Sequence, residues 1–507
     1  AEKGGGLASA SPGACASKSP AANAAWARAV AAFNRGDVAA AETGLAAALA
    51  ADPAFDEARV DLAWLRFAQG RAAEASSLAT QAAKGKRLTL TARARAEIIA
   101  AAAAGKPAEL DAIAVRLKHE IPGGPWESLA TALSLNIRGE HYRAIAPFDA
   151  VRAHRPNDPA ILHQAGMAAL GLGDATEAQE VLRRVVAAWP GHDRAQMDLA
   201  EALVRAHDLD GAAKSLEAWA QRYHPGDAPV WGGAYTFDDP PPIVRSQAVF
   251  LLKGAVSKAI ESLDRRESLY DAASAPAAVR VIMLRTLYDL QSELAFGSDL
   301  QKHRWLDAAR ETFNRLRDVM PPDDQKARPW ILLRMEALLR VREGRFPEAR
   351  ALREKIAAAS AMPGYEAAAV DDVDAALALK DADTDKVFEV LNRAVAARGS
   401  VADLYALGQA YGVIAQWKKT QEIVTKIEGR IETWSESRRP DALLWNTRTA
   451  LLVPFIYSLG GEMGVWLDDV ESSRKRFGVF LGYFKTPDEP FREFADEASG
   501  RGATAAW

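Results

Sequence analysis

Cysteine is nearly absent from this chain of 507 residues, in which Cys15 is the single example. One cysteine excludes an intramolecular disulfide and a cysteine metal cluster, and we expect Cys15 to be a free thiol. The formal net charge is small, −4, with 26% charged residues. The chain therefore lacks the basic excess that nucleic-acid binding requires, and we expect no nucleic-acid partner.

Long apolar runs are also missing. The most apolar stretch, ALLWNTRTALLVPFIYSLGG, is interrupted by Asn446, Thr447 and Arg448, so we expect no transmembrane segment. The chain begins with Ala1 rather than Met, as a mature chain does after signal cleavage at a small residue. We predict a periplasmic or otherwise extracytoplasmic bacterial protein, with a cytoplasmic protein as the alternative.

Catalytic motifs are missing as well. The sequence contains no G-x-S-x-G elbow, no P-loop and no H-E-x-x-H. The stretch GLGDATEAQEVLRRVVAAWP, 171–190, begins like a dinucleotide loop, but Thr176 stands where the third glycine is needed. The residues before it have helical spacing rather than the alternation of a strand. We predict no enzyme and no cofactor.

Metal-binding patterns are incomplete. Histidines are dispersed, and His141, His154 and His163 include no pair at i, i+4 spacing, which a helical metal site commonly uses. The run DADTD, 381–385, resembles half of a calcium loop, but Lys386 replaces its glycine. We predict a helix-connecting turn there, a solvated acidic face at VDDVD, 370–374, and no metal site.

A fixed period is what the sequence does contain. Glycines recur at intervals of 34 or 35 residues, and His207 takes the next position; these glycines are Gly36, Gly70, Gly105, Gly139 and Gly173. A proline follows four of them at a separation of 17, namely at Pro53, Pro122, Pro156 and Pro190. A period near 34 is typical of two-helix units that bury their apolar faces by stacking.

Each recurring position has a physical role. The glycine can end the first helix with positive φ. Asp37, Asp174 and Asp208 follow it, where a side-chain oxygen can cap the second helix. An alanine twelve residues before the proline, as at Ala41, Ala144 and Ala178, permits close helix approach. The proline then ends the second helix.

This pattern resembles the tetratricopeptide repeat family, and six units can be placed between residue 22 and about residue 225. Later segments are similar but less regular. WLDAARETFNRLRDVMPP and EGRFPEARALREKI keep several of the family's positions, and LYALGQAYGVIAQWKKTQEIVTKI keeps Leu404, Gly408, Tyr411 and Trp417, with Thr420 in place of an alanine. The first units also resemble the repeat segments of some bacterial signalling kinases, without a kinase domain.

The resemblance implies an all-α fold, an α-α superhelix of stacked helix-turn-helix repeats. We predict a flexible N-terminal tail at 1–21 and an N-terminal repeat array at 22–227. A proline-rich interruption or hinge follows at 228–245. A second, degenerate array occupies 246–430, and a C-terminal helical cap occupies 431–507.

In this family, ligands lie on the concave face formed by the first helix of each unit. The equivalent positions here are mainly aromatic and apolar, and they lack the Lys and Asn set of the chaperone-binding members. An alternative is that a tightly wound superhelix buries them against its own turns. The predicted partner-binding residues are Trp26, Phe33, Trp64, Phe67, Trp126, Leu133, Asn136, His163, Met167, Met197 and Arg205.

We therefore predict a protein–protein interaction scaffold, a non-catalytic subunit that binds a partner protein in a larger assembly, exported or membrane-associated. The alternative is a helical-repeat enzyme or a carrier of a small molecule or glycan. Its site would lie near 228–245, where Trp231, Tyr235, Asp238 and Asp239 collect. Self-assembly of the chain is a third hypothesis.

Overall fold

The computed structural model describes residues 17–220, 242–432 and 447–504. Short gaps within these ranges are Gly36, Gly70, 86–87, Asn157, Gly191, 273–276, 296–298, 363–364 and Glu366. Throughout these described residues the regular elements are helices, and none is a strand. The predicted all-α fold is confirmed.

The chain folds into two compact units, of which the first contains six helical hairpins. Consecutive helices pack against each other along this array. Its helices are α1 Pro20–Asn34, α2 Val38–Ala51, α3 Asp56–Ala68, α4 Ala72–Ala83, α5 Leu90–Ala103, α6 Pro107–Glu120, α7 Pro125–Ile137, α8 His141–His154, α9 Pro159–Leu172, α10 Ala175–Ala188, α11 Asp193–Arg205 and α12 Leu209–Ala220.

The second unit continues with longer and less regular helices, and a short 3-10 helix, Ala359–Ala361, follows α19. Its helices are α13 Pro242–Leu252, α14 Val256–Ala272, α15 Ala277–Leu294, α16 Asp299–Val319, α17 Pro322–Ala327, α18 Pro329–Arg342, α19 Phe346–Ala358, α20 Ala368–Asp381, α21 Thr384–Ala397, α22 Val401–Val413, α23 Trp417–Glu432, α24 Thr447–Trp466, α25 Val470–Tyr483 and α26 Glu489–Thr504.

The hairpin ends follow the predicted turn chemistry. Gly105, Gly139 and Gly173 have φ of 65°, 77° and 78°, a left-handed conformation that strains residues with a Cβ. The Asp174 side chain accepts a hydrogen bond from the backbone N–H of Glu177 at 3.0 Å and caps α10. The glycine thus ends one helix, and the aspartate begins the next.

The predicted apolar stripe is the packing face of the second helices. Ala41, Ala144 and Ala178 are fully buried, and so is Leu45 beside them. Burial of a side chain as large as Leu45 contributes about 1.5–3 kcal/mol. The small alanines permit the close approach within each pair, and the larger residues fill the space between neighbouring pairs.

The first unit closes on itself across its inner face. Helix α3 of the second hairpin contacts α9 of the fifth, and the ring of Phe33 lies 6.4 Å from that of Trp189 in an edge-on arrangement. Hairpins distant in sequence are therefore neighbours in space. The inner face meets its own side chains instead of lining an open groove.

The last helices of the second unit pack against its first ones and against each other. Helix α24 packs against α13 and α15, which begin the unit, as well as against α22, α23 and α25. Phe455 of α24 contacts four other phenylalanines with ring centroids 5.4–6.2 Å apart; these are Phe480, Phe484, Phe491 and Phe494. The Asp488 side chain also accepts a hydrogen bond from the backbone N–H of Ser257 at 2.6 Å.

The two acidic runs of the second unit differ from each other. Asp383 accepts from the N–H of Lys386 at 3.0 Å and caps α21, which confirms the predicted helix-connecting turn. The prediction of a solvated acidic face at 370–374 is wrong. Asp371 is buried and accepts from Arg393 at 2.7 Å, and Asp374 binds both ends of the Arg353 guanidinium. Arginines of neighbouring helices neutralise this run.

Candidate functional site

A line of polar contacts crosses the inner face of the first unit. The indole N–H of Trp26 donates to the Asp61 carboxylate at 2.7 Å, and an Arg95 guanidinium nitrogen lies 2.9 Å from the other carboxylate oxygen. Asp61 is 1% exposed and Arg95 is 2% exposed. Desolvation makes a lone buried charge costly, so each ion needs the other. These contacts join the first three hairpins.

Arg95 also lies among aromatic rings. Its guanidinium carbon is 5.7 Å from the ring centroids of both Trp64 and Trp126, and that of Arg155 is 4.9 Å from Trp126. The negative faces of indole rings attract such cations, most strongly where water is excluded. Arg155 in turn pairs with the buried Asp158 at 3.1 Å. The interior therefore alternates aromatic rings and arginines.

A histidine cluster continues this interior toward the sixth hairpin. His163 Nε2 lies 2.6 Å from an oxygen of Asp198. The ring of His163 is 4.6 Å from that of His192, which contacts Trp189 at 4.8 Å. Because Trp189 also contacts Phe33, this cluster lies where the unit closes.

Burial sets the charge state of the cluster. It lowers the pKa of His192 well below its usual value, and the electrostatic interaction with neighbouring His163 lowers it further. Burial raises the pKa of Asp198, but Arg194 and the hydrogen bond from His163 outweigh that effect and lower it overall. At neutral pH, His192 is consequently a neutral imidazole beside an ionised carboxylate.

Two further predicted partner-binding residues, Arg205 and Asn136, form hydrogen bonds within the first unit. Arg205 donates to the backbone carbonyl of Leu170 at 2.6 Å and pairs with buried Glu201. The side-chain oxygen of Asn136 lies 2.7 Å from Nδ1 of His141. Both side chains remain partly exposed.

The predicted partner-binding residues divide by burial. Five are partly exposed and stay candidates: Trp26, Phe67, Asn136, Met167 and Arg205. Six others are buried among the unit's own helices, and their contact with a partner stays a prediction: Phe33, Trp64, Trp126, Leu133, His163 and Met197.

The polar partners of this face were missing from the sequence prediction. Asp61, Arg95, His192 and Asp198 are buried and charged or titratable, yet they fall on an otherwise apolar stripe. The signal that would have found them is the period itself. Trp26 and Asp61 are 35 residues apart, as are His163 and Asp198, so equivalent positions of successive hairpins meet.

Among the described residues, no group of His, Cys, Asp and Glu could hold a metal ion. In the same part of the chain, no helix combines the length and apolarity needed to cross a membrane. The alternative ligand site at Trp231, Tyr235, Asp238 and Asp239 lies outside the described residues.

Comparison with known proteins finds a known repeat in one part of the chain. A tetratricopeptide repeat family model matches residues 169–233, whereas none of the curated proteins matches the chain. Similar solved structures include yeast Tom70, with 13% identity, 93% of this chain and 86% of that chain covered, and a TM-score of 0.30.

A tetratricopeptide repeat protein from Parabacteroides merdae ATCC 43184 is also similar, with 16% identity and a TM-score of 0.27. The match covers 52% of this chain and 99% of that chain. The structure of Naa15/Naa10 bound to HypK-THB is similar with 13% identity and a TM-score of 0.28. The match covers 96% of this chain and 87% of that chain. Likenesses this distant carry no information on partners. The family match, the 34-residue period and the six stacked hairpins together show an array of tetratricopeptide repeats in the first unit.

Proposed function

We propose that this chain is a non-catalytic scaffold subunit that holds a partner protein within a larger assembly. The observation that supports it most directly is a surface at Phe67 and Met167, which we call the edge and which lies above a rigid interior. Phe67 on α3 and Met167 on α9 are both partly exposed, and their helices contact each other. Apolar anchors on a fixed helical surface suit a segment of another protein.

The buried network gives this edge its rigidity. The contacts of Asp61 with Trp26 and Arg95 fix the first three hairpins, and the contact between Phe33 and Trp189 fixes the first hairpin against the fifth. A surface held in this way loses little conformational entropy when a partner binds. Affinity then depends on the anchors rather than on ordering of the scaffold.

The partner chemistry follows from the accessible residues. Phe67, Met167 and Trp26 offer apolar contact, while Asn136 and Arg205 add hydrogen-bonding groups at the edge. We infer an apolar segment with a few polar groups, such as one face of an amphipathic helix. This differs from the charge clamp for a C-terminal carboxylate that the family's chaperone-binding members use.

Affinity capture with matched variants tests this proposal. The full chain is tagged in its native host, and cross-linked partners are identified by mass spectrometry. Phe67→Ser combined with Met167→Ser should remove a specific partner, whereas Tyr142→Ser, which changes a side chain that is 79% exposed on α8, should retain it. Helical circular dichroism should be the same for both. Equal capture by all three proteins would refute the proposed edge.

A further inference from the structure

A stacked aromatic pair, one ring exposed and the other partly exposed, lies at the surface of the second unit. The rings of Trp417 and Trp466 stack with centroids 5.2 Å apart and an interplanar angle of 9°. Trp466 is 62% exposed, and Val413, which shortly precedes Trp417, is 87% exposed. Large apolar side chains exposed together mark an interaction surface more often than an incidental feature.

Two tight turns build this surface. The turn between α22 and α23 contains Ala415 at φ 59°, and the turn between α24 and α25 contains Asp468 at φ 58°. Each turn is flanked by exposed apolar residues. We call the whole set the tryptophan patch: Val413, Ile414, Trp417, Val465, Trp466 and Val470.

The charges beside the tryptophan patch separate by sign. Lys418 and Lys419 directly follow Trp417, next to the turn between α22 and α23. Three acidic residues follow Trp466 at the turn between α24 and α25: Asp468, Asp469 and Glu471. All five side chains are exposed. One side of the patch is therefore basic, and the other is acidic. The stacked tryptophans lie between them.

Helix electrostatics explains one side but not the other. Asp469 caps α25, and Glu471 lies in its first turn, where negative charge is favourable. Lys418 and Lys419 lie in the first turn of α23, which contains no acidic residue, and positive charge is unfavourable at that helix end. The Lys419 ammonium lies 4.9 Å from the Tyr411 ring, a cation–π contact that brings no negative charge to it. An acidic surface on another molecule would offset both charges.

We propose that two copies of this chain pair through the tryptophan patch about a two-fold axis. The rotation places the basic turn of each copy opposite the acidic turn of the other, and the apolar centres meet between them. An isologous interface requires this kind of self-complementary surface. Aromatic anchors at its centre and charges at its rim match the usual anatomy of an interface.

The charge arrangement favours a second copy over a membrane. An anionic lipid surface attracts Lys418 and Lys419, but it repels the equally exposed Asp468, Asp469 and Glu471. A second copy satisfies both turns at once. The proposal goes beyond the scaffold function, because the tryptophan patch and the edge at Phe67 and Met167 are in different units.

The pairing is tested by measuring the molar mass of the full chain as a function of its concentration. Light scattering should show 54.6 kDa at low concentration and twice that mass at high concentration. Val413→Glu should weaken dimerisation more than tenfold. The matched control Val115→Glu, at a side chain 64% exposed on α6, should leave it unchanged. A monomer at every concentration, or equal effects of both substitutions, would overturn the proposal.

Charge exchange tests the two-fold arrangement. Lys418→Glu with Lys419→Glu makes both turns acidic, and Asp468→Asn with Glu471→Lys cancels the net charge of the second turn, so each double variant alone should dimerise more weakly. Asparagine tolerates the positive φ of residue 468. Mixing the two variants should give a heterodimer that forms more readily than either homodimer, because one of its two turn pairs again sets a basic turn against an acidic one. Failure of the mixture to recover, or binding of monomers to phosphatidylserine vesicles that Val413→Glu abolishes, would overturn this interface.

Discussion

The two units differ in how deeply they bury their ion pairs. The first places the ion pair of Asp61 and Arg95 among tryptophan rings, with both ions at most 2% exposed. The second packs its last three helices through phenylalanines around Phe455. Its Arg353–Asp374 pair lies nearer the surface, with the arginine side chain 28% exposed. One helical hairpin architecture therefore accommodates both charged and apolar packing.

This difference separates contacts that mainly stabilise the fold from contacts that also specify its geometry. Apolar packing needs no particular partner, whereas a buried ion must meet its counter-ion and cannot tolerate a shift in register. In the first unit Trp26, Asp61 and Arg95 lie on three successive hairpins. The network therefore fixes the order and rotation of those hairpins. The aromatic cluster of the second unit contributes burial with less constraint on geometry.

Loss of a buried tryptophan should have the largest effect. Trp64→Ala should lower the free energy of unfolding of the first unit by about 3–5 kcal/mol, because it removes a fully buried ring. Trp466→Ala, at an exposed ring, should cost less than about 1 kcal/mol in the monomer. Hydrogen exchange measured by mass spectrometry should show lost protection in α1–α10 for the first variant. Similar losses in both units would contradict the separation of the two interiors.

Breaking the buried ion pair should have the next largest effect. Asp61→Leu leaves Arg95 charged and uncompensated, and it should destabilise the first unit by about 3 kcal/mol or more. Adding Arg95→Met should recover most of that loss, because the double variant buries no ion. Asp374→Leu should cost about 1 kcal/mol or less, since Arg353 keeps access to solvent. Urea unfolding curves check all three, and no recovery in the double variant would contradict the ion-pair argument.

Exchanges at the hairpin turns should have opposite signs in the two units. Gly173→Ala in the first unit introduces a Cβ at φ 78° and should cost about 1–2 kcal/mol. Ala415→Gly in the second unit relieves the same strain at φ 59° and should stabilise that unit by a few tenths of a kcal/mol. Thermal unfolding of the two variants gives the signs directly. A stabilising Gly173→Ala would show that the turn conformation is not the constraint.

A pH dependence of the first unit should follow from its buried histidine. The folded pKa of His192 lies below its unfolded value of about 6.5. As pH falls below 6.5 the unfolded chain binds the proton first, so stability is full above 6.5 and decreases below it. One such group gives a slope of at most about 1.4 kcal/mol per pH unit.

Unfolding at a series of pH values tests this dependence. His192→Gln should flatten the curve below pH 6.5, whereas the lowered pKa of Asp198 acts at more acidic pH. His141 and His207 also have pKa values lowered by burial and should leave a residual slope in the variant. A curve unchanged by His192→Gln would contradict the assignment.

The hairpins and their ends could be predicted from the sequence because they depend on local chemistry. Gly105, Gly139 and Gly173 have the left-handed φ that their positions predicted, and Ala41, Ala144 and Ala178 are buried as their spacing predicted. Thr420, which departs from the pattern, is buried but donates its hydroxyl to the Gly408 carbonyl at 3.2 Å. A polar residue is accepted at that position because a partner is within reach.

The closure of the inner face could not be predicted in this way. The contact of Phe33 with Trp189 depends on a small rotation that accumulates over several hairpins, and no single repeat reveals it. Six predicted binding residues are therefore interior, whereas the fold prediction is confirmed. The tryptophan patch was missed for a similar reason. Trp417 fitted the family's pattern, but its exposed partner Trp466 comes from the region without a recognised repeat.

The contact between Phe33 and Trp189 also fixes how many hairpins the first unit can have. An open solenoid can gain or lose a repeat and simply become longer or shorter. Here, duplicating or deleting one hairpin between residues 55 and 155 would rotate Trp189 away from Phe33 and expose both rings. Homologues that keep this closure should therefore vary in their loops while the number of hairpins between these two residues stays constant.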